Sequence, residues 1–155
     1  IEKDRFKAQD YIFVYMLKGT AQSDEYIARV AKKHGLKVIR LGYGYHEMLK
    51  NGDTVVLPPV YEFLSLIKNA RCVITNSFHA TAFSINFNTP FISIMRERAN
   101  SRINDLLRLL NLEDRRLTDF NDVDLMDKAI DFEKVNNLLN EQREVALKYL
   151  KNSLK

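Results

Sequence analysis

The sequence has few of the residues that characterise disulfide-rich, linker or fibrous proteins. Its 155 residues include 1 cysteine, 3 prolines, 5 glycines and no tryptophan. One cysteine excludes an intrachain disulfide, and so few glycines and prolines exclude a low-complexity chain. No internal repeat with a period of about 20–50 residues is present. The length and the hydrophobic content of 46% therefore indicate one folded domain, residues 1–155, of ordinary composition.

Neither the charge distribution nor the hydropathy indicates a nucleic-acid-binding protein or a membrane protein. The 24 basic and 20 acidic residues give a net charge of +4, and the basic residues are scattered rather than collected in a stripe. A nucleic-acid-binding surface needs such a stripe, so we expect no nucleic-acid partner. No apolar run approaches the ~20 residues of a membrane span, and no signal peptide is visible, so we expect a cytoplasmic protein. The chain begins at Ile1 without a methionine, and we interpret it as a fragment.

Short apolar runs alternate with helical patterns along the chain. Runs rich in strand-forming residues predict strands at residues 11–17, 37–41, 55–57, 72–75 and 91–95. Between the first two runs apolar residues recur at helical spacing, with Ser23 as the expected N-cap and Gly35 as the helix end. This alternation predicts an α/β fold, a doubly wound parallel sheet of about five to six strands that is Rossmann-like, with the usual order 3-2-1-4-5.

The later part of the chain is more helical. Apolar spacing predicts a helix after Pro58-Pro59, a helix at residues 78–87 and a helix capped by Asn100 or Ser101. The acidic stretch 113–131 shows no clear pattern. A long final helix, residues 132–152, carries an apolar stripe that we expect to pack against the domain: Val135, Leu138, Leu139, Val145 and Tyr149.

Polar residues follow the two strands that are expected to be central. Lys18-Gly19-Thr20 ends the first strand and Asn76-Ser77-Phe78-His79 follows the fourth, so we expect these loops to lie side by side at the switch point. Ser77 is a good N-cap, and the unpaired amides behind it suit a phosphate or a carboxylate. His79 can add a donor to that anion or move a proton. The alternative for Asn76–His79 is a capped helix whose histidine satisfies itself locally. The alternative for Lys18–Thr20 is an ordinary turn between a strand and a helix.

Further candidates lie near the same sheet edge. Arg96, Glu97, Arg98 and Arg102 follow the fifth strand, and arginine there can clamp a phosphate or carboxylate; a solvated charge cluster is the alternative. The segment Gly42–His46 offers aromatic rings for stacking or is a flexible turn. Glu62 lies in a first helical turn, where a carboxylate usually only complements the dipole.

Several chemistries lack their sequence signals. The 3 histidines and 1 cysteine show no metal-ligand spacing, so no metal site is predicted. Cys72, inside an apolar run, is expected to be a buried structural thiol, and His34 is expected to be structural. Neither G-x-G-x-x-G nor G-x-S-x-G occurs, so the dinucleotide fingerprint and the hydrolase elbow are absent.

An ordered series of blocks resembles the polysaccharide pyruvyltransferase family. The blocks are Pro59–Leu64, Ile67–Ala70, Val73–Ile85, Pro90–Ile92 and Ser101–Ile103 with Leu106-Leu107, within a resemblance from roughly Asp10 to Leu112. The resemblance implies the C-terminal, Rossmann-like half of a GT-B-like enzyme. Family members are expected to move a pyruvyl group from phosphoenolpyruvate onto sugar hydroxyls as a ketal, during exopolysaccharide or cell-surface glycan synthesis.

The resemblance also implies a set of site residues. The family histidine maps onto His79, which would be catalytic. The implied donor-binding residues are Asn76, Ser77, Phe78, Lys18, Gly19, Thr20 and Arg102, with Glu62 and Ser101 as possible additions. Some members have arginine two residues before the histidine, where this chain has Ser77, so Arg102 or Lys18 would have to substitute.

The implied partners are phosphoenolpyruvate as donor substrate, a saccharide acceptor and an N-terminal domain missing from this chain, and no cofactor is implied. Two alternatives stay open. The first is a glycosyltransferase donor domain that binds a nucleotide sugar, with Glu62 or Glu97 on the ribose or sugar. The second is a non-catalytic scaffold domain with a degenerate site.

Overall fold

A computed structural model describes residues 10–42, 52–95 and 101–153. In these ranges, six parallel strands form one sheet in the order β3-β2-β1-β4-β5-β6. The strands are β1 Tyr11–Tyr15, β2 Lys37–Gly42, β3 Asp53–Val56, β4 Cys72–Thr75, β5 Phe91–Ile94 and β6 Arg116–Leu117. The predicted α/β, Rossmann-like fold and its strand order are confirmed. The two-residue β6, in the stretch that showed no clear pattern, extends that order by one position.

The helices connect the strands as the periodicity indicates. They are α1 Ala21–His34, α2 Val60–Lys68, α3 Phe78–Asn86, α4 Ser101–Leu109 and α5 Phe132–Ser153. Gly35 ends α1 with a left-handed φ of 63°, as expected for a glycine C-cap. The acidic stretch 113–131 contains two short 3₁₀ helices, Glu113–Arg115 and Leu125–Asp127, on either side of β6. In the described residues, no helix has both the length and the apolar composition to cross a membrane.

The sheet has an apolar core on each face, because side chains alternate along a strand. On one face Ile12 and Val14 of β1 belong to a cluster with α1 residues such as Ile27. On the other face Phe13 of β1 clusters with residues of α2, α3, α4 and the start of α5, such as Ile85. The chain therefore leaves β1 and β4 toward opposite faces of the sheet. This divergence makes β1 and β4 the topological switch point, the place where ligands usually bind in open α/β sheets.

The apolar stripe of α5 packs over only its first part. Val135 is buried, and Leu138 and Leu139 pack against the core, but Val145 is 64% exposed and Tyr149 72% exposed. The expectation of packing was wrong for these last two residues. The physical reason is length, since 22 helical residues span about 33 Å. A 4-residue strand such as β4 spans only about 13 Å, so the helix extends beyond the sheet.

Candidate functional site

Asn76 joins the loops that follow β1 and β4. Its Oδ1 accepts a hydrogen bond from the Leu17 amide at 2.8 Å, and its Nδ2 donates to the Lys18 carbonyl at 2.9 Å. Asn76 is only 4% exposed, so water competes little for these bonds. The expected side-by-side arrangement of the two loops is confirmed. Because both ends of the side-chain amide hold backbone, we interpret Asn76 as a positioning residue.

Thr75 fixes the turn between β4 and α3. Its hydroxyl donates to the Tyr15 carbonyl at 2.5 Å and accepts from the Ser77 amide at 3.0 Å. Ser77 occupies the N-cap position of α3 with extended backbone, but its hydroxyl makes no capping hydrogen bond. The expectation that Ser77 caps through its side chain was wrong, because the Thr75 hydroxyl organises this turn instead.

The N-terminus of α3 therefore keeps its backbone donors available. The first hydrogen bond of the helix runs from the Thr81 amide to the Ser77 carbonyl at 3.1 Å. The amides of Phe78 and His79 precede that bond, lie at the positive end of the helix dipole and belong to residues that are not fully buried, whereas Ala80 is fully buried. An anion fits such an end, since the amides point toward it and the dipole favours negative charge. We call this end of α3 the open terminus.

Two nitrogen-bearing side chains lie at the open terminus. His79 is exposed in the first turn of α3. Its ring lies 6.0 Å from the Phe78 ring in an edge-on arrangement, and the guanidinium carbon of Arg102 lies 5.4 Å from the centre of the same ring. A cation–π contact at an exposed site contributes about 0.5–1 kcal/mol. Phe78 thus brings His79 and Arg102 to one helix end, so three predicted site residues lie together.

The N-terminus of α1 lies at the same sheet edge but is closed by its own side chains. The Ser23 amide donates to the Thr20 hydroxyl at 3.1 Å, and the Thr20 amide donates to the Ser23 hydroxyl at 2.9 Å. This is a capping box in which Thr20 is the N-cap and Ser23 is the N3 residue. The expectation that Ser23 is the N-cap was wrong by one helical turn, because Ser23 returns its hydroxyl to the preceding cap. We call this end of α1 the closed terminus.

A cleft of about 230 Å³ opens beside the closed terminus. Its walls come from the ends of β1 and β2 and from the loop after β1: Val14, Met16, Leu17, Lys18, Gly19, Arg40 and Leu41. Lys18 and Gly19, two of the predicted binding residues, are therefore placed at a cavity. Lys18 also contacts the β4 loop through Asn76, so the cleft lies next to the open terminus.

Arg40 is the cleft residue that sequence reasoning missed. Its side chain is 5% exposed, and its Nη1 donates to the Asp24 carboxylate at 3.1 Å. Burial lowers the pKa of the Arg40 guanidinium below its ordinary value, and Asp24 counteracts that shift. Arginine still remains charged at neutral pH. In the sequence, the feature that could have pointed to Arg40 is its position as a single charged residue within the apolar run Val38-Ile39-Arg40-Leu41.

The remaining candidates contribute less to this arrangement. Glu62 is half-buried in the first turn of α2, and Ser101 is the exposed first residue of α4. Among residues 10–42, 52–95 and 101–153, no hydrogen bond or ion pair joins either of them to the two loops. The predicted candidates 43–46 and 96–98, and the alternative cap Asn100, lie outside the described residues.

The other titratable candidates have structural surroundings. Cys72 is 1% exposed, and burial raises the pKa of its thiol to about 12, which confirms the predicted buried thiol. His34 lies at the last turn of α1, at the opposite edge of the sheet, with Nδ1 3.6 Å from an Asp127 carboxylate oxygen. Within the part of the chain that the structure describes, no group of three His, Cys, Asp or Glu residues is placed to hold a metal ion.

Comparison with known proteins agrees with the resemblance seen in the sequence. No curated protein matches the chain. The family model described as polysaccharide pyruvyl transferase matches residues 2–98, which is more than half of the 155 residues. The match covers the N-terminal part of this chain, from β1 to β5 with both loops, and stops before α4, so Ser101 and Arg102 lie beyond it. That this chain is the C-terminal half of a longer enzyme stays a prediction. The chain belongs to the polysaccharide pyruvyl transferase family.

Proposed function

We propose that this chain binds phosphoenolpyruvate and contributes to transfer of its pyruvyl group onto two hydroxyls of a sugar. The observation that carries the proposal is the open terminus of α3, with exposed His79 and nearby Arg102 at the switch point. A phosphate dianion suits unpaired helix amides and adjacent nitrogen donors. Membership of the family supports a transferase that acts on polysaccharide.

The proposed reaction converts the enol ester into a ketal. A proton adds to C3 of phosphoenolpyruvate, and the positive charge at C2 is shared with oxygen. One sugar hydroxyl adds to C2 and loses its proton. The bond between C2 and the phosphate oxygen then breaks, and a second sugar hydroxyl adds to the new cation. One hydroxyl proton balances the proton gained by C3, and the other leaves with inorganic phosphate.

The open terminus supplies electrostatic stabilisation in this reaction. Negative charge grows on the phosphate as its bond to C2 breaks, and fixed backbone amides stabilise such charge without reorganising. His79 has two roles open to it, either donation to the phosphate or delivery of the proton to C3. A pH profile of turnover separates these two roles. Delivery of a proton to C3 requires the imidazolium form of His79, whereas a neutral imidazole can still donate a hydrogen bond to the phosphate.

The remaining parts of the proposal concern the whole enzyme. An N-terminal domain in a GT-B-like arrangement would complete the cleft and contact the saccharide acceptor. The enzyme would act in the cytoplasm during exopolysaccharide or cell-surface glycan synthesis, with phosphoenolpyruvate as a substrate and no cofactor.

Ligand titration of the chain tests the proposed donor. Thermal unfolding is followed while phosphoenolpyruvate or a nucleotide sugar such as UDP-glucose is added. We expect phosphoenolpyruvate to raise the Tm, because a ligand that binds only the folded state stabilises it. A response to the nucleotide sugar alone would replace the proposal with a glycosyltransferase donor domain. A response to neither would favour a scaffold domain with a degenerate site.

Substitutions of two separate histidines, one at the open terminus and one far from it, test the role of the open terminus. The variant His79→Ala should weaken phosphoenolpyruvate binding by about 10-fold or more, because a hydrogen bond to a charged group contributes about 1.5–3 kcal/mol. Its Tm without ligand should stay close to that of the parent, since His79 is exposed. The matched control His34→Gln changes a histidine at the opposite sheet edge and should leave affinity unchanged. Equal affinity of His79→Ala and parent would remove His79 from the site.

A further inference from the structure

The second half of α5 is exposed to solvent on every side. Residues 140–153 of this helix, which we call the distal segment, are all exposed, although four of them are large and apolar. Val145 is 64% exposed, Leu147 55%, Tyr149 72% and Leu150 53%. A helical segment of about 12–15 residues is only marginally stable in water, because most helical stability comes from packing of an apolar face. The distal segment therefore gains stability from a surface that covers its apolar side chains.

One stripe of α5 follows the repeat of seven residues that is typical of helices that pair with other helices. At alternating steps of three and four residues, the stripe consists of Val135, Leu138, Gln142, Val145, Tyr149 and Asn152. Its first two residues pack on the domain, and its last four belong to the distal segment. Polar residues within such a stripe lower the stability of a helix pair but fix its register. The distal segment therefore offers a short contact line for a second helix.

The charges beside this stripe favour a second copy of the same helix in the opposite direction. Glu141 and Lys148 are seven residues apart, so both lie on one side of the stripe. In an antiparallel pair this side faces the same side of the partner helix, so Glu141 of each copy lies opposite Lys148 of the other. A parallel pair would instead place these charges opposite Ala146 and Ser153, which form no ion pair. The order of the charges therefore favours the antiparallel arrangement.

We propose that the distal segment of α5 pairs with the distal segment of a second copy of this chain, antiparallel, in a two-fold symmetric dimer. Val145 and Tyr149 form the apolar centre of the interface, and Glu141 and Lys148 form an ion pair at each of its two ends. The segment is about 21 Å long, so the interface buries less than about 1,200 Å² and the dimer is weak, with a Kd of about 10 µM. None of these residues belongs to the candidate donor site.

Sedimentation velocity of the full chain tests the pairing. We expect a monomer at about 1 µM and a dimer at about 200 µM, as that Kd requires. The double variant Val145→Ser with Tyr149→Ser should stay monomeric at both concentrations. Its Tm should be unchanged at the lower concentration, since both side chains are exposed. The matched control Val60→Ser with Tyr61→Ser removes a valine that is 74% exposed and a tyrosine that is 70% exposed from α2, and should still dimerise.

Charge reversal tests the orientation of the two helices. Glu141→Lys and Lys148→Glu each convert both ion pairs of the dimer into like-charge contacts. Each variant alone should therefore dimerise about 10-fold more weakly than the parent. An equimolar mixture of the two variants restores opposite charges in both contacts, so its affinity should return to within about 3-fold of the parent. The matched control Glu144→Lys reverses a charge on the side of the helix away from the stripe and should leave dimerisation unchanged.

Two results would overturn the proposed dimer. A parent that stays monomeric at about 200 µM would mean that the distal segment packs against a different polypeptide or remains exposed. Two weakened variants whose mixture does not recover would exclude the antiparallel pair. The dimer and the donor site are tested separately, because the substitutions in α5 should leave phosphoenolpyruvate affinity unchanged. A dimer that fails to bind phosphoenolpyruvate would contradict only the proposed function.

Discussion

The N-termini of α1 and α3 lie at one edge of the sheet, follow neighbouring strands and differ in how their backbone donors are used. At the closed terminus, Thr20 and Ser23 satisfy each other's amides. At the open terminus, Ser77 makes no capping bond through its side chain. The first helix uses the Ser23 amide in its own cap, whereas the first turn of α3 has no side-chain cap from Ser77.

The third helical residue accounts for one part of this difference, and Thr75 accounts for another, because its hydroxyl already accepts from the Ser77 amide. A capping box needs a side chain at N3 that reaches back to the N-cap amide. In α1 the N3 residue is Ser23, whereas the corresponding residue of α3 is Ala80, which has no polar group. The chain therefore forgoes about 1 kcal/mol of helix stability at α3, and under the proposed function this uncapped turn binds the phosphate.

The largest expected effect comes from placing a negative charge at the open terminus. His79→Asp should lower phosphoenolpyruvate affinity by about 100-fold, which corresponds to about 2.7 kcal/mol, because the new carboxylate repels the phosphate. The fold should be unchanged or slightly more stable, since an acidic residue in a first turn complements the helix dipole. Calorimetric titration and thermal unfolding measure the two effects.

The control is the same change at the closed terminus. Gln22 is the exposed N2 residue of α1, as His79 is of α3. Gln22→Asp should lower the affinity by less than about 3-fold, because an exposed charge away from the ligand is screened by salt. If both variants lose affinity equally, the distinction between the two termini does not govern binding.

A smaller effect is expected when the link between the two termini is cut. Asn76→Ala removes two hydrogen bonds from a residue that is 4% exposed, and should lower the free energy of unfolding by about 2 kcal/mol. Urea unfolding measures this change. Phosphoenolpyruvate affinity should fall as well, since the loop that precedes α3 loses its two hydrogen bonds to the loop after β1.

Asn86→Ala is the control for that link. Asn86 is an exposed asparagine of α3 whose Nδ2 donates to the Ala82 carbonyl at 2.9 Å and whose Oδ1 accepts from the exposed Arg143 guanidinium at 2.9 Å. Its replacement should change stability by no more than about 0.5 kcal/mol. A similar cost for both asparagines would contradict a special role of Asn76.

The sequence alone was sufficient to predict the sheet and to predict that the two loops lie side by side. Continuous apolar runs separated by helical periodicity permit few topologies, and a parallel sheet brings the carboxyl ends of its strands to one edge. Lys18 and Asn76 could therefore be placed together before any contact between them was known. Family membership followed from short blocks in a fixed order, which do not depend on side-chain geometry.

The details of the site depend on contacts between distant residues, and these were missed. Thr20 and Ser23 are both good N-cap residues, so composition alone does not decide which one begins α1. Arg40 lies in an apolar strand, and its partner Asp24 is 16 residues away on a helix that packs on that strand. Only the packing of α1 on the sheet shows that this charge is buried beside a cavity.

The smallest expected effect is on stability, when the N-cap residue of each helix is replaced by alanine. Thr20→Ala removes the hydroxyl that accepts from the Ser23 amide, so it should cost about 1 kcal/mol of stability. Ser77→Ala removes a hydroxyl that makes no capping bond, and the Thr75 hydroxyl still accepts from its amide, so the cost should stay within about 0.5 kcal/mol. Urea unfolding of both variants gives the comparison. Equal losses would mean that the two N-termini are capped alike, and the α3 amides would then no longer be open to an anion.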